Sequence, residues 1–306
     1  MRKMIFQKPG MAAEERIVLK ANLHTHTRNS DGKYTPEEII EMYHGAGYDV
    51  IAFTDHRTTN KISSYDGKGM TLLSGIELHP VGPRNIPWHI LAVGVPEDFP
   101  HTHPATGQEA VDRAVESGAA VFCAHPYWCG FTPEEVMSLR NILGIEVYNT
   151  STRYIGKDLN MYCWDACLDA GKEYTAIAVD DIHSLHDFCG GWTMICPENN
   201  TPEEIIKALK RGYFYSTQGP EFTKITVRDS YLEAEFTPCT AAILVGRGCG
   251  GRALSIENPD GPGTFSEVSR ISVHLKDCPA RTFRIQLRDA QGRYAWSNPI
   301  HNSFIW

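Results

Sequence analysis

Apolar runs that stop abruptly at imidazole or carboxylate residues set the pattern of the first two hundred positions. Ile17, Val18, Leu19, Ala21 and Leu23 lead into His24-Thr25-His26, and a run of this kind before a polar turn predicts a buried strand. Alternation along that strand sends His24 and His26 to the same side. Ser30-Asp31-Gly32 predicts a turn. Thr35-Pro36-Glu37-Glu38 then predicts a helix start with an N-cap, a proline in the first helical position and a capping-box glutamate, the helix ending near Gly45-Ala46-Gly47.

Val50 to Phe53 predicts a second strand ending in Thr54-Asp55-His56, and Leu72 to Ile76 a third leading into Glu77. A fourth, Ile90 to Val95, has His89 at its start. Between the third and fourth lie Pro80, Gly82, Pro83 and Pro87, poor material for the crossover of a dozen or more residues that parallel strands require. The chain is expected to reverse there, so that the start of the fourth strand lies beside the end of the third. Alternation then resumes with a helix over 108–117 and a strand over 119–124 ending in His125-Pro126. A short helix capped by Thr132-Pro133-Glu134-Glu135 and a strand over 145–149 come next, then a helix over 157–170 closed by Gly171. A strand over 175–179 ends in Asp180-Asp181-Ile182-His183. Thr-Pro-Glu-Glu opens at 35 and 132 and returns at 201, which reads as shared capping chemistry and not as a repeat.

Strands alternating with helices over this length imply an α/β barrel or a doubly wound sheet. His24, His26, His56, Glu77, His125, Asp181 and His183 fall at strand C-terminal ends, where barrel enzymes gather their active-site groups. A barrel is therefore expected over residues 1–219. From Phe222 onward the runs are short and β-like, at 225–227, 231–236, 242–245, 271–275 and 283–287, with Gly, Pro, Asn and Asp between them. They predict a small all-β, sandwich-like domain over residues 220–306.

Composition narrows the partners. A net charge of −8 and a pI near 5.9 argue against a broad polyanion-binding surface and so against long nucleic acid. No stretch approaches the roughly 20 apolar residues of a membrane span, and the apolar run at Met4-Ile5-Phe6 is too short for a signal peptide. Nine cysteines, an odd number without a CxxC pair, fit reduced thiols. A cytoplasmic protein acting on small molecules, without membrane association, is expected.

Imidazole and carboxylate donors without thiolate suit Zn, Mn or Fe, and there are more of them than one ion needs. The expectation is a multinuclear hydrolytic site. No Gly-x-Ser-x-Gly elbow or P-loop is present, so the nucleophile is expected to be a metal-bound hydroxide, with no protein nucleophile and no general acid assigned. Arg28, Arg57 and Arg153, beside strand ends, are the candidates for recognising a substrate anion. Asp55 and Asp180 flank the ligand candidates and are expected to orient them. His101 and His103 form a second HxH in a loop-like stretch, and His44, His274 and His301 sit in helical or C-terminal segments; none of these is expected to bind metal.

These residues resemble the PHP (polymerase and histidinol phosphatase) domain family of metal-dependent phosphoesterases from about Leu19 to Pro220. The motifs that carry the resemblance are His24-Thr25-His26 with Ser30-Asp31-Gly32, Thr54-Asp55-His56, Gly75-Ile76-Glu77, His89-Ile90-Leu91, Ala124-His125-Pro126 and Asp181-Ile182-His183. The resemblance implies a distorted (β/α)7 barrel holding two or three divalent ions. It implies His24, His26, Glu77 and Asp181 as ligands of the first ion, with Glu77 bridging to a second held by His89 and His125. Asp31, His56 and His183 would hold a third, at a position where some relatives carry histidine in place of Asp31.

The segment from Gly212 to Pro220 resembles a two-domain branch named for carbamate-hydrolysing members. Only 35 residues separate His89 from His125, so the helical insertion that nucleotide phosphatases of the family often carry there is expected to be missing. The activity implied is hydrolysis of a phosphomonoester or phosphodiester of a small molecule or nucleotide. A carboxylic ester or carbamate hydrolase on the same metal site is the alternative, and a non-catalytic metal-binding regulatory module is the second.

Overall fold

The computed structural model describes residues 2–7, 11–100, 104–255, 266–278 and 280–302; His101 and His103 lie outside them. The chain forms two compact units. One holds Leu19–Tyr213, and the other joins the residues up to Val18 to those from Phe214 onward. The sequence-based division at 219/220 placed the N-terminal segment with the barrel. Strand pairing explains why it goes elsewhere: β1 (Arg2–Phe6) is antiparallel to the first half of β2 (Glu14–Asn22) and parallel to residues 224–225.

In the larger unit, β2 pairs in parallel with β3 (Val50–Phe53), after α1 (Pro36–Gly45), and β3 pairs in parallel with β4 (Thr71–Leu78). Thr35 and Glu38 form the expected reciprocal capping box on α1. The reversal follows. β5 (Ile90–Val93) is antiparallel to β4, with Glu77 opposite Leu91 and Leu78 opposite Ile90. After α2 (Gly107–Glu116), β6 (Ala120–Cys123) is antiparallel to β5. The one-turn α3 (Pro126–Cys129) and α4 (Pro133–Met137) lead to β7 (Gly144–Asn149), parallel to β6.

The next helix is shorter than its sequence pattern suggests, α5 being Met161–Asp169. Residues 157–160 instead run beside β7, with the Asn149 amide donating to the Asp158 carbonyl and the Asn160 amide to that of Val147. Backbone pairing with a strand edge outweighs helix propensity there. β8 (Thr175–Val179) is parallel to β7, and β9 (Trp192–Ile195), followed by α6 (Pro202–Arg211), lies antiparallel to β2. The result is a mixed α/β unit of the kind a PHP-like barrel requires. Its core is made of strand residues such as Leu19, Ile51, Phe53, Leu91, Phe122, Ile145 and Ile177, all at most 1 % exposed. Among the described residues no helix is long and apolar enough to cross a membrane.

The smaller unit is all β. β10 (Phe214–Thr217), β11 (Phe222–Arg228), β12 (Tyr231–Cys239), β13 (Ala241–Val245), β14 (Gly251–Ala253), β15 (Val268–His274), β16 (Thr282–Arg288), β17 (Tyr294–Ser297) and β18 (Ile300–His301) follow in order. β11, β12 and β15 form one antiparallel set, and β14, β13, β16, β17 and β10 another. Alternate residues point inward, among them Leu232 and Ala234 on β12 and Ile285 and Leu287 on β16. All nine cysteines are free thiols.

Candidate metal centre

The HxH pair keeps strand geometry past the end of β2, because Thr25 bridges in parallel to Ile182. His24 and His26 therefore share a face, with their Nε2 atoms 3.0 Å apart. Asp181 closes on both. Its Oδ1 lies 3.0 Å from His26 Nε2 and 3.3 Å from His24 Nε2, while Glu77 Oε2 is 3.6 Å from each nitrogen. Four ligands about 2.0–2.1 Å from a tetrahedral ion sit about 3.3 Å from one another, so these four atoms have the spacing of a coordination shell.

Glu77 turns its other oxygen to a second group. Oε1 is 2.8 Å from His89 Nδ1 and 3.3 Å from His125 Nε2. The antiparallel register of β4 and β5 brings His89 there, and His125 follows β6 directly. A third group lies nearer solvent, with Asp31 3.3 Å from His56 Nε2 and 3.4 Å from His183 Nε2. Gly32 lets the Ser-Asp-Gly turn fold back on the HxH strand, since a Cβ there would meet the His26 carbonyl oxygen at 2.6 Å. All nine sequence candidates thus converge on one cluster able to hold several ions.

Three non-glycine residues at its edge, Arg57, His125 and Asp181, have positive φ of 59°, 25° and 51°. Each such conformation costs on the order of 1–3 kcal/mol and persists where the surroundings over-determine it, as around functional sites. The cluster also leaves polar atoms unpaired. Glu77 Oε2, Asp181 Oδ1, His56 Nδ1 and His79 Nε2 are buried and make no hydrogen bond, an expensive state unless something binds them. A group of divalent ions fits these residues.

Charge follows the same crowding. Burial pushes His89 down to about 4. In His24 the burial penalty is outweighed by Asp181, Glu146 and Glu77, which hold the ring well above its ordinary value. Burial also opposes ionisation of Glu77 and Asp181, yet His24 and His89 around the first, and His24 and His26 around the second, hold both well below the usual carboxylate range.

Asp55 and Asp180 tie down loops. Asp55 accepts from the Thr27 amide and hydroxyl, Ser30 Oγ and Asn60 Nδ2. Asp180 accepts from the Tyr43 and Thr150 hydroxyls and from the amides of Cys189, Gly190 and Gly191. A cavity of about 250 Å³ over the cluster is lined by Asp31, His56, His89, His125, Trp128, Ser151, Thr152, Asp181 and His183. Arg28, Arg57 and Arg153 are exposed and outside this lining: Arg28 Nε donates to the Lys33 carbonyl, and Arg153 to the Tyr154 hydroxyl and the His186 carbonyl.

Two groups escaped the sequence reading. Glu146 accepts from His24 Nδ1 through Oε1 at 2.6 Å, and from the His125 amide and Asn149 Nδ2 through Oε2. It thereby turns His24 Nε2 toward the cluster. His79, two residues beyond Glu77, brings Nε2 to 3.1 Å from Glu77 Oε2. The signal for Glu146 was a lone charge in an otherwise apolar strand. For His79 it was the same two-residue period that marks His24 and His26.

A family model described as PHP domain matches residues 22–206. The phosphoribosyl 1,2-cyclic phosphate 1,2-diphosphodiesterase of Eggerthella lenta is 30% identical over 115 residues, 33% of this chain and 44% of that protein. The chain thus matches less than half the length of that relative. An uncharacterised protein of Methanocaldococcus jannaschii is 26% identical over 150 residues, 44% of this chain and 84% of the other. Among solved structures, a two-domain protein of Bacteroides vulgatus, described as containing a predicted PHP-like metal-dependent phosphoesterase, aligns with a TM-score of 0.56 at 16% identity. The alignment covers 94% of this chain and 93% of that one, and the likeness is one of fold.

Proposed function

The chain belongs to the PHP domain family, and on that premise we propose that it is a metal-dependent phosphoesterase acting on phosphomonoesters or phosphodiesters of small molecules or nucleotides. The observation that carries this reading is the set of donor groups sharing Glu77, whose buried ligand atoms lack hydrogen bonds. In this reading the larger unit is a distorted (β/α)7 barrel. His24, His26, Asp181 and Glu77 hold one divalent ion, Glu77, His89 and His125 a second, and Asp31, His56 and His183 a third, with Mn, Zn or Fe as the metals. When bound, such ions lower the pKa of a water molecule and polarise phosphoryl oxygens.

The chain's own residues do the rest. Glu146 fixes the His24 ring, and Asn149 Nδ2 holds Asp181 Oδ2 at 3.0 Å, leaving Oδ1 for the cluster. Trp128 walls one side of the cavity, packed edge-on against His89 and His125. Ser151 and Thr152 line another side, where a hydroxyl can meet a substrate oxygen. No lysine or arginine is among the described lining residues, so the ions have to carry the neutralisation of a phosphate. The same lining admits an uncharged carbonyl, which favours a carboxylic ester or carbamate hydrolase as the second reading.

The test is elemental analysis of the purified protein, then assays on nucleotides, sugar phosphates and an aryl phosphodiester with Mn, Zn or Fe. About two to three ions per chain and chelator-sensitive phosphate release are expected. Carboxylate or phenol release from esters and carbamates, without phosphate release, would replace the first reading by the second. Full metal loading without any hydrolysis would leave a regulatory module.

A further inference from the structure

His79 lies outside the ligand sets described above, yet the hairpin that delivers His89 delivers it too. With Glu77 opposite Leu91 and Leu78 opposite Ile90, continuing the antiparallel register puts His79 opposite His89, and the two rings lie 4.0 Å apart. The His56 ring is a second neighbour, at 4.4 Å. The His79 side chain is 9% exposed. Its Nε2, His56 Nδ1 and Glu77 Oε2 form a group with the spacing of metal ligands, and all three atoms are buried without a hydrogen bond.

We propose that His79 is a metal ligand, and that with His56 Nδ1 and Glu77 Oε2 it binds a divalent cation of the class that accepts imidazole nitrogen. The competing role for His79 is a hydrogen-bonded neighbour of Glu77. At 3.1 Å that bond is within reach, but the ring is not directed to make it. His56 Nδ1, 2.6 Å from the same oxygen, makes none either. An ion satisfies the three atoms together, with the nitrogens and oxygen spreading toward the roughly 3.3 Å separation that bonds of 2.0–2.1 Å impose. His56 also turns Nε2 toward Asp31; a neutral imidazole has one ring lone pair, so ions on both nitrogens require the His56 ring to release its remaining proton to solvent and bridge as imidazolate.

The inference rests on the metal-centre reading of the cluster. Its test is anomalous diffraction from crystals of the full chain soaked in Mn(II) alone or Zn(II) alone, paired with elemental analysis of wild type and His79→Ala. An anomalous peak about 2.0–2.2 Å from His79 Nε2 is expected, with one ion per chain fewer in His79→Ala. Peaks confined to the other donor groups, with His79 Nε2 donating to Glu77, overturn this assignment and leave the phosphoesterase reading intact. The wild-type map decides even if the variant does not fold. Absence of metal everywhere overturns both.

Discussion

Two buried carboxylates, one in each unit, separate structural from functional polarity. Asp289 in the β unit is 6% exposed and accepts from the amides of Gln291 and Arg293 and from Arg293 Nε. Its lone pairs are occupied by the chain itself, and it holds the turn between β16 and β17. Glu77 in the α/β unit is fully buried, with imidazoles at both oxygens and no hydrogen bond to Oε2. Neighbouring residues repeat the contrast, Asp180 taking five donors while Asp181 Oδ1 takes none. Burial is common to all four. What sets Glu77 and Asp181 apart is that the protein leaves one oxygen of each without a hydrogen bond.

The sharpest way to break this comparison is to neutralise Glu77. Glu77→Gln is expected to remove the ions on both faces of the carboxylate and to lower turnover by about 10³-fold or more, the scale on which preorganised charge stabilisation is lost. His125→Ala is expected to remove one. Equal metal content in the two variants, measured by elemental analysis, would remove Glu77 from its bridging place.

Glu146→Gln comes next. It keeps the shape while removing the charge that holds the His24 ring, so metal affinity should fall about 10–100-fold, with activity restored at higher metal concentration. A loss of thermal stability in the chelated protein, with metal affinity unchanged, would class Glu146 with Asp289.

Acidity supplies a third test. His24 is raised above its ordinary value of 6.5 in the metal-free protein, so its protonated form contributes stability that is present below that value and lost as pH rises through the folded pKa. An incoming ion has to displace that proton. Metal affinity should therefore rise with pH through neutrality, and calorimetry in buffers of different ionisation enthalpy should register proton release. His89, pushed down to about 4, is already neutral and releases none. Affinity independent of pH would contradict the raised pKa. Asp289→Ala should have the smallest effect, a stability loss of about 1–3 kcal/mol from the donors it strands, with metal content unchanged in the same preparation.

Much of this site was legible along the chain because a strand end is a local signal. Apolar runs closing in His24-Thr25-His26, His56, His125 and Asp181 carry their own geometry, and the loop between Glu77 and His89 is too poor in helix formers to be anything but a reversal. Glu146 was not legible. It sits within β7 and meets His24 across 122 positions, a contact that strand pairing creates and no local pattern encodes. His79 was hidden by the prolines after it, which made Leu78 to Pro87 read as loop. Where the arginine side chains turn was not legible either, because proximity in sequence to a strand end does not aim a long side chain: Arg28 donates to the Lys33 carbonyl and Arg153 to that of His186, 33 positions away.

The β4/β5 reversal also bears on how the molecule is born. Most of the candidate ligands meet only after the strands from β2 to β8 have assembled, but Glu77 and His89 lie in one hairpin, 12 positions apart. Closing so short a loop takes on the order of 10–100 ns and a hairpin about 1–10 μs, with little of the entropy cost that distant contacts carry. This carboxylate and imidazole therefore need only the β4/β5 hairpin to meet, whereas the contacts of His24 with Glu146 and Asp181 await strands that come more than a hundred positions later.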